Sequence, residues 1–115
     1  MGMAQRRGRA GEALAAAYFE LLGCEVVGRN LRLAGVEVDL VVADGATRVL
    51  VEVKLRGRAD FGGAARAVDV RKRERLKRAA RTLEADGAPL RIDVVALEPL
   101  DEGLALRHYR NAITD

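Results

Sequence analysis

The amino-acid sequence predicts an α/β domain, a mixed β-sheet flanked by helices in the order α-β-β-β-α-β-β. Three observations carry this. Two stretches place apolar residues at helical spacing, one before and one after a group of Val-rich segments. Two of those segments alternate in part and are joined by an Asp44-Gly45 turn signal, which reads as a hairpin. A further Val-rich run follows the second helical stretch, so both helices can pack on one sheet.

The first helix is predicted over Arg9–Leu22, with Leu14, Ala17, Tyr18 and Leu21 on one face at i, i+3, i+4 and i+7 and Gly23 as its C-cap. Cys24–Val27 reads as a short strand, and Asn30–Leu33 as another strand or an extended lead-in. Val36–Val42 and Val49–Leu55 form the hairpin, and Arg56–Gly63 is a Gly- and Arg-bearing loop. A second helix runs from Val68 or Asp69 to Glu84, its apolar stripe being Leu76, Ala79, Ala80 and Leu83. Asp86-Gly87-Ala88-Pro89 stops it. Leu90–Leu97 and Leu104–Tyr109 are the last strands, separated by the Asp101-Glu102-Gly103 turn.

A length of 115 residues with 50% hydrophobic content makes one domain, 1–115, with residues 1–8 read as a flexible basic arm containing Arg6 and Arg7. One Cys excludes a disulfide framework and a Cys-based zinc cluster, which places the chain in a reducing, cytoplasmic setting. Ser is absent and His108 is the lone His, so a Ser–His hydrolase cannot be assembled. Chemistry must come from carboxylates, Lys and Arg. The basic, Ala-rich start has the outline of a signal peptide. Glu12 and Glu20 nevertheless bracket an apolar run well short of the ~20 residues a membrane span needs.

The most informative pattern is the placement of acids on the hairpin. A symmetric loop centred between Gly45 and Ala46 sets Asp39 opposite Glu52 and Glu37 opposite Lys54. Strict alternation puts Val36, Val38 and Leu40 on one face and Glu37, Asp39 and Val41 on the other. Glu37 and Lys54 make an ordinary cross-strand ion pair. Asp39 and Glu52 are two like charges about 4.5–5.5 Å apart at Cβ, which destabilises a sheet unless something offsets it. A hard divalent cation does so, because Mg²⁺ takes carboxylate oxygens as ligands. A solvated sheet face is the plain alternative. Lys54, on the Glu52 face, can pair with Glu37 and can also act on a water and on charge developing at a phosphate; the two roles are not exclusive.

Asp39 followed by Glu52-Val53-Lys54 on the next strand resembles the D…(D/E)xK signature of the PD-(D/E)XK nucleases. The wider match is more specific. It runs through Gly8-Arg9-Ala10-Gly11-Glu12, Gly28-Arg29-Asn30, Glu37-Val38-Asp39-Leu40-Val41, Val51-Glu52-Val53-Lys54, Phe61-Gly62, Lys72 with Leu76, Ala79 and Ala80, Arg91-Ile92-Asp93-Val94-Val95, and His108-Tyr109-Arg110-Asn111-Ala112. Over nearly the whole chain these segments resemble the YraN-type family of uncharacterised bacterial proteins. The resemblance implies a restriction-endonuclease-like fold and an endonuclease activity dependent on Mg²⁺ or Mn²⁺. It also implies Asp39 and Glu52 as metal ligands with the Val53 carbonyl, Lys54 as the catalytic lysine, and Glu12 as an outer ligand or water-orienting group. The chain departs from the pattern in lacking a Pro before Asp39 and in carrying Val36 where the family usually has Gly.

The second helix carries seven bases, among them Arg71, Lys72, Arg75 and Arg78, against Glu74 alone within that stretch. Arg71, Arg75 and Arg78 fall at i, i+4 and i+7 and form one stripe, suited to phosphates without reading bases. An Arg-biased composition, with 17 Arg against 3 Lys, is the competing explanation. Arg56 and Arg58 follow the Glu52–Lys54 strand and should border the site, where Phe61 either stacks on a base or plugs the core. Asp93 reads equally as a family position or as a partner of Arg91 or Lys72; His108 and Cys24 read as structural. The expected partner is nucleic acid, DNA ahead of RNA, and not a membrane. A homodimer is compatible with so small a footprint. The alternative function is a catalytically weak nucleic-acid-binding or accessory protein on the same fold.

Overall fold

The structure, a computed structural model, describes residues 3–56, 70–84 and 87–114. Helix α1 spans Met3–Leu21, and strands β1, β2 and β3 follow at Glu25–Leu33, Val36–Asp44 and Thr47–Leu55. Helix α2 covers Val70–Glu84, and strands β4 and β5 cover Leu90–Leu100 and Gly103–Tyr109. The element order is the predicted one. The five strands form one sheet in sequential order, antiparallel except for the parallel pair β3–β4. A parallel pair needs a long crossover, and the segment containing α2 provides it. Among the described residues, no helix is long and apolar enough to cross a membrane.

The Asp44-Gly45-Ala46-Thr47 turn pairs Asp44 with Thr47 and carries the predicted register through to Leu40 opposite Val51. The two fragments expected before the hairpin are one strand, β1, irregular between Val26 and Gly28. Ala34 and Gly35, at φ 52° and 76°, join β1 to β2 as the left-handed centre of a two-residue turn.

The helices cover opposite faces of the sheet. Leu76, Ala79 and Ala80 of α2 pack on Val36, Val38, Val41, Leu50 and Val94, as their spacing predicts. On α1 the expected stripe is the wrong one. Leu14 and Leu21 are 48% and 87% exposed, whereas Ala15, Ala16 and Phe19 are fully buried against Leu40, Val42, Val51 and Leu97. Small residues win this face because they let the helix axis approach the sheet: a Cβ at Gly11 would sit 3.2 Å from Leu97 Cδ1. The rotation turns Glu12 inward. The helix also begins at Met3, so residues 3–8, expected as an arm, form its first turns.

A buried polar hub ties β4, β5, α1 and the C-terminal segment together. Asp93 has no exposed surface and accepts hydrogen bonds from Arg91 Nε at 3.0 Å and the Asn111 amide at 2.8 Å. Its Oδ2 lies 2.7 Å from His108 Nε2, and His108 Nδ1 lies 2.9 Å from the Tyr18 hydroxyl. Arg91 also reaches Asp44 at 2.9 Å. Of the two partners considered for Asp93, Arg91 is the one the structure shows, and His108 is structural as expected. Removing one member of a buried ion pair costs about 3–5 kcal/mol. Asp93→Ala should therefore lower the melting temperature by roughly 10 °C or more. An unchanged melt by circular dichroism would show that the hub carries no stability.

Candidate functional site

The sheet's alternation breaks at Asp39. Val36 and Val38 face α2, but Leu40 and Val42 face α1, and Val41 takes the α2 side. Strict alternation, expected for this strand, therefore fails between Val38 and Leu40. The reason is local: Asp39 Oδ2 accepts the Val53 backbone N–H at 2.8 Å. A side chain thus takes a donor of the neighbouring strand just where the β2–β3 ladder stops, one residue beyond Leu40–Val51. Asp39 is pinned at the mouth of the splayed hairpin.

Glu52 sits on the α2 face of β3 and is 4% exposed. Its Oε1 lies 3.3 Å from Lys54 Nζ and 3.6 Å from Lys72 Nζ. Among the described residues its Oε2 is buried and meets no N–H donor. The ion pair found for Lys54 is thus with Glu52 on its own strand, whereas Glu37 was its expected cross-strand partner. Lys72, expected at a nucleic-acid surface, reaches from α2 into the carboxylates. The sequence held a signal for this: Lys72 precedes Leu76 by four residues and Ala79 by seven, so it lies on the buried stripe.

Burial drives the electrostatics. It raises the Asp39 carboxyl above the ordinary range, and the Val53 N–H, the Lys72 and Lys54 charges and a hydrogen bond with the Glu52 carboxyl only partly oppose it. Burial and then the Asp39 charge raise Glu52, against the same two lysines. Glu12, on α1, is raised by burial and by Asp39, while a hydrogen bond from the Asn30 side chain pulls it down. Asp39, Glu52, Lys54, Lys72 and Glu12 thus share one end of the sheet. Asn30 belongs with them and was not singled out as a site residue.

The remaining candidates lie around this centre. Arg71, Arg75 and Arg78 are exposed and run along α2 away from Lys72. The Arg56 amide bonds the Leu97 carbonyl at 2.8 Å, while its buried Nε has no hydrogen-bond partner among the described residues. Arg58 and Phe61 lie outside the described residues.

The donor set is compatible with a hard cation. Asp39, Glu52 Oε2 and the Val53 carbonyl are all oxygen, and a buried carboxylate oxygen that meets no N–H donor is where a missing ligand is expected. Among the described residues, no three His, Cys, Asp or Glu side chains converge on one point. A closed protein cage is therefore not built here. Mg²⁺ characteristically takes one or two carboxylates and completes its shell with water and phosphate oxygens.

A raised folded-state pKa means that ionising Asp39 opposes folding, and this penalty grows as pH rises through the raised value. Asp39→Asn keeps an acceptor for the Val53 amide and removes the charge. The variant should melt several degrees above wild type near pH ~8, with each kcal/mol worth about 4 °C, and the difference should shrink toward pH ~4. Thermal melts across that range check the sign; a variant less stable at high pH than at low pH, relative to wild type, contradicts it.

Comparison with known proteins gives the chain a family. Residues 11–97 match the model of the uncharacterised protein family UPF0102. A UPF0102 protein of Solibacter usitatus is 46% identical over 99 residues, covering 81% of this chain and 75% of that one. One of Stutzerimonas stutzeri is 40% identical over 117 residues, covering 97% and 98% respectively. One of Symbiobacterium thermophilum is 38% identical over 115 residues, covering 96% and 98%. The match runs from within α1 to within β4 and so includes Glu12, Asp39, Glu52, Lys54 and Lys72: the chain belongs to the UPF0102 family.

Proposed function

We propose that this protein is a metal-dependent nuclease hydrolysing phosphodiester bonds, with DNA the first substrate to test. One observation carries the reading: among the described residues Glu52 Oε2 is buried and meets no N–H donor, its neighbour being a second buried carboxylate, with two ammonium groups on the other oxygen. A purely structural ion cluster would satisfy both oxygens, because leaving one buried and unpaired is costly.

In this reading Asp39, Glu52 and the Val53 carbonyl hold Mg²⁺ or Mn²⁺, which polarises a phosphoryl oxygen when bound. The chain's own groups do the rest. Glu52 Oε1 engages both lysines and so fixes where their ammonium groups point. Lys54, with a quarter of its side chain exposed, can reach a water and donate to the phosphate as charge develops there. Lys72 adds a second positive charge from α2. Glu12 completes the rim as a water-orienting carboxylate. Arg71, Arg75 and Arg78 hold flanking phosphates, which positions the strand without reading its sequence.

Purified wild type and Glu52→Ala should be compared on linear, branched and single-stranded DNA and on RNA with Mg²⁺. Losing a metal ligand worth several kcal/mol should cut the rate by about 10²–10³-fold. Equal cleavage by both proteins overturns the proposal. Binding without cleavage on every substrate favours an accessory nucleic-acid-binding protein instead. Replacing Arg71, Arg75 and Arg78 by Ala should reduce the slope of log affinity against log salt on duplex DNA by about 3. An unchanged slope removes the stripe from the interface.

A further inference from the structure

Three non-glycine residues adopt left-handed backbone among the described residues: Ala34 and Asn111, which lie in turns, and Asn30, at φ 51°, which lies within a strand. Asn30 falls between the pairs Arg29–Leu40 and Leu31–Val38, so its place in the β1–β2 register is opposite Asp39. Such a conformation opposes regular strand geometry, and Asn is among the few side-chain-bearing residues that tolerate it. Strain of this kind persists where the surroundings over-determine it, and it gathers at functional sites. The Asn30 side chain lies within hydrogen-bonding reach of the Glu12 carboxyl on α1, whose charge it favours.

We infer that Asn30 is a positioning residue, its left-handed backbone aiming the side-chain amide at Glu12 and holding that carboxylate beside Asp39. The inference rests on the nuclease reading of this site and adds the device that assembles it. Glu12 comes from a helix on one face, and Asp39 comes from the point where β2 changes faces. Without a tether, Asp39 and Glu37 would repel Glu12 toward solvent, since each disfavours its charge. Asn30 supplies the tether from the adjoining strand. The site is then joined through three elements: α1 through Glu12, β1 through Asn30 and β2 through Asp39.

Asn30→Gly tests this cleanly, because Gly accepts the same φ and removes only the side chain. Two readouts are needed: cleavage of DNA with Mg²⁺, and the rise in melting temperature produced by Mn²⁺ titrated into the full chain. The expected result is a metal-free melt within about 2 °C of wild type, roughly tenfold slower cleavage and roughly tenfold more Mn²⁺ for the same rise. In a Glu12→Ala background the same substitution should have no further effect, because Asn30 acts through Glu12. The inference is overturned if Asn30→Gly matches wild type in both readouts, or if its penalty persists undiminished beside Glu12→Ala. Failure of the nuclease reading looks different: wild type then cleaves no better than Glu52→Ala, and Mn²⁺ shifts neither melt.

Discussion

The bond from the Val53 amide to Asp39 Oδ2 governs the arrangement at this end of the sheet. Backbone donors in a hairpin are ordinarily satisfied by the partner strand's carbonyls. Here a carboxylate takes one such donor at 2.8 Å, and the regular β2–β3 ladder ends at Leu40–Val51. Three consequences follow in order. The side-chain alternation of β2 breaks, so Leu40 and Val42 serve the α1 core while Val36 and Val38 serve the α2 core. Asp39 is held near Glu52 despite the repulsion between them. Val53, whose amide is captured, directly follows Glu52, so its carbonyl belongs to the same stretch of β3 and is the third oxygen of the proposed donor set.

The other face of the sheet, one register position from Glu52, shows what a satisfied buried carboxylate looks like in this protein. Asp93 accepts from Arg91, His108 and the Asn111 amide, and both its oxygens are used. It closes the C-terminal segment onto β4, where the Ala112 amide also bonds the Ile92 carbonyl. Glu52, nearly as buried, leaves Oε2 without an N–H donor among the described residues. The two acids sit on adjoining strands one register position apart, yet Asp93 meets donors at both oxygens and Glu52, among the described residues, at one. That contrast is the physical ground for reading Asp93 as architecture and Glu52 as a binding group.

Much of this was legible in the residues, and the failures have identifiable causes. The Asp44-Gly45 turn set the β2–β3 register, because a two-residue loop leaves little freedom in pairing. The α2 face was legible because its apolar residues are large enough to mark it. The α1 face was not: Leu14 and Leu21 form the stronger stripe by hydropathy, but Gly11, Ala15 and Ala16 allow closer packing on the sheet. Hydropathy ranks side chains, whereas packing selects the face that fits. Lys72 was grouped with the exposed bases although its spacing to Leu76 and Ala79 places it on the inward side. Asn30 was hidden more deeply, since nothing in an isolated Asn announces a left-handed backbone within a strand.

Charge at the site gives the proposed chemistry its direction. Glu12, Asp39 and Glu52 oppose Lys54 and Lys72, so with every group ionised the centre carries one net negative charge. A phosphodiester, itself an anion, would be repelled. Burial disfavours the three charged carboxylates, which is why all three are raised, and protonation would relieve the imbalance only by giving up the oxygens a cation needs in ionised form. A divalent cation at Asp39 and Glu52 reverses the balance to one net positive charge, matched to a single phosphodiester. It also offsets the repulsion that the Asp39–Val53 bond forces on the two carboxylates. Under the proposed function, substrate affinity and fold stability would then depend on the same ion, and the arginines of α2 would serve to bring nucleic acid to a centre that accepts it only when that ion is bound.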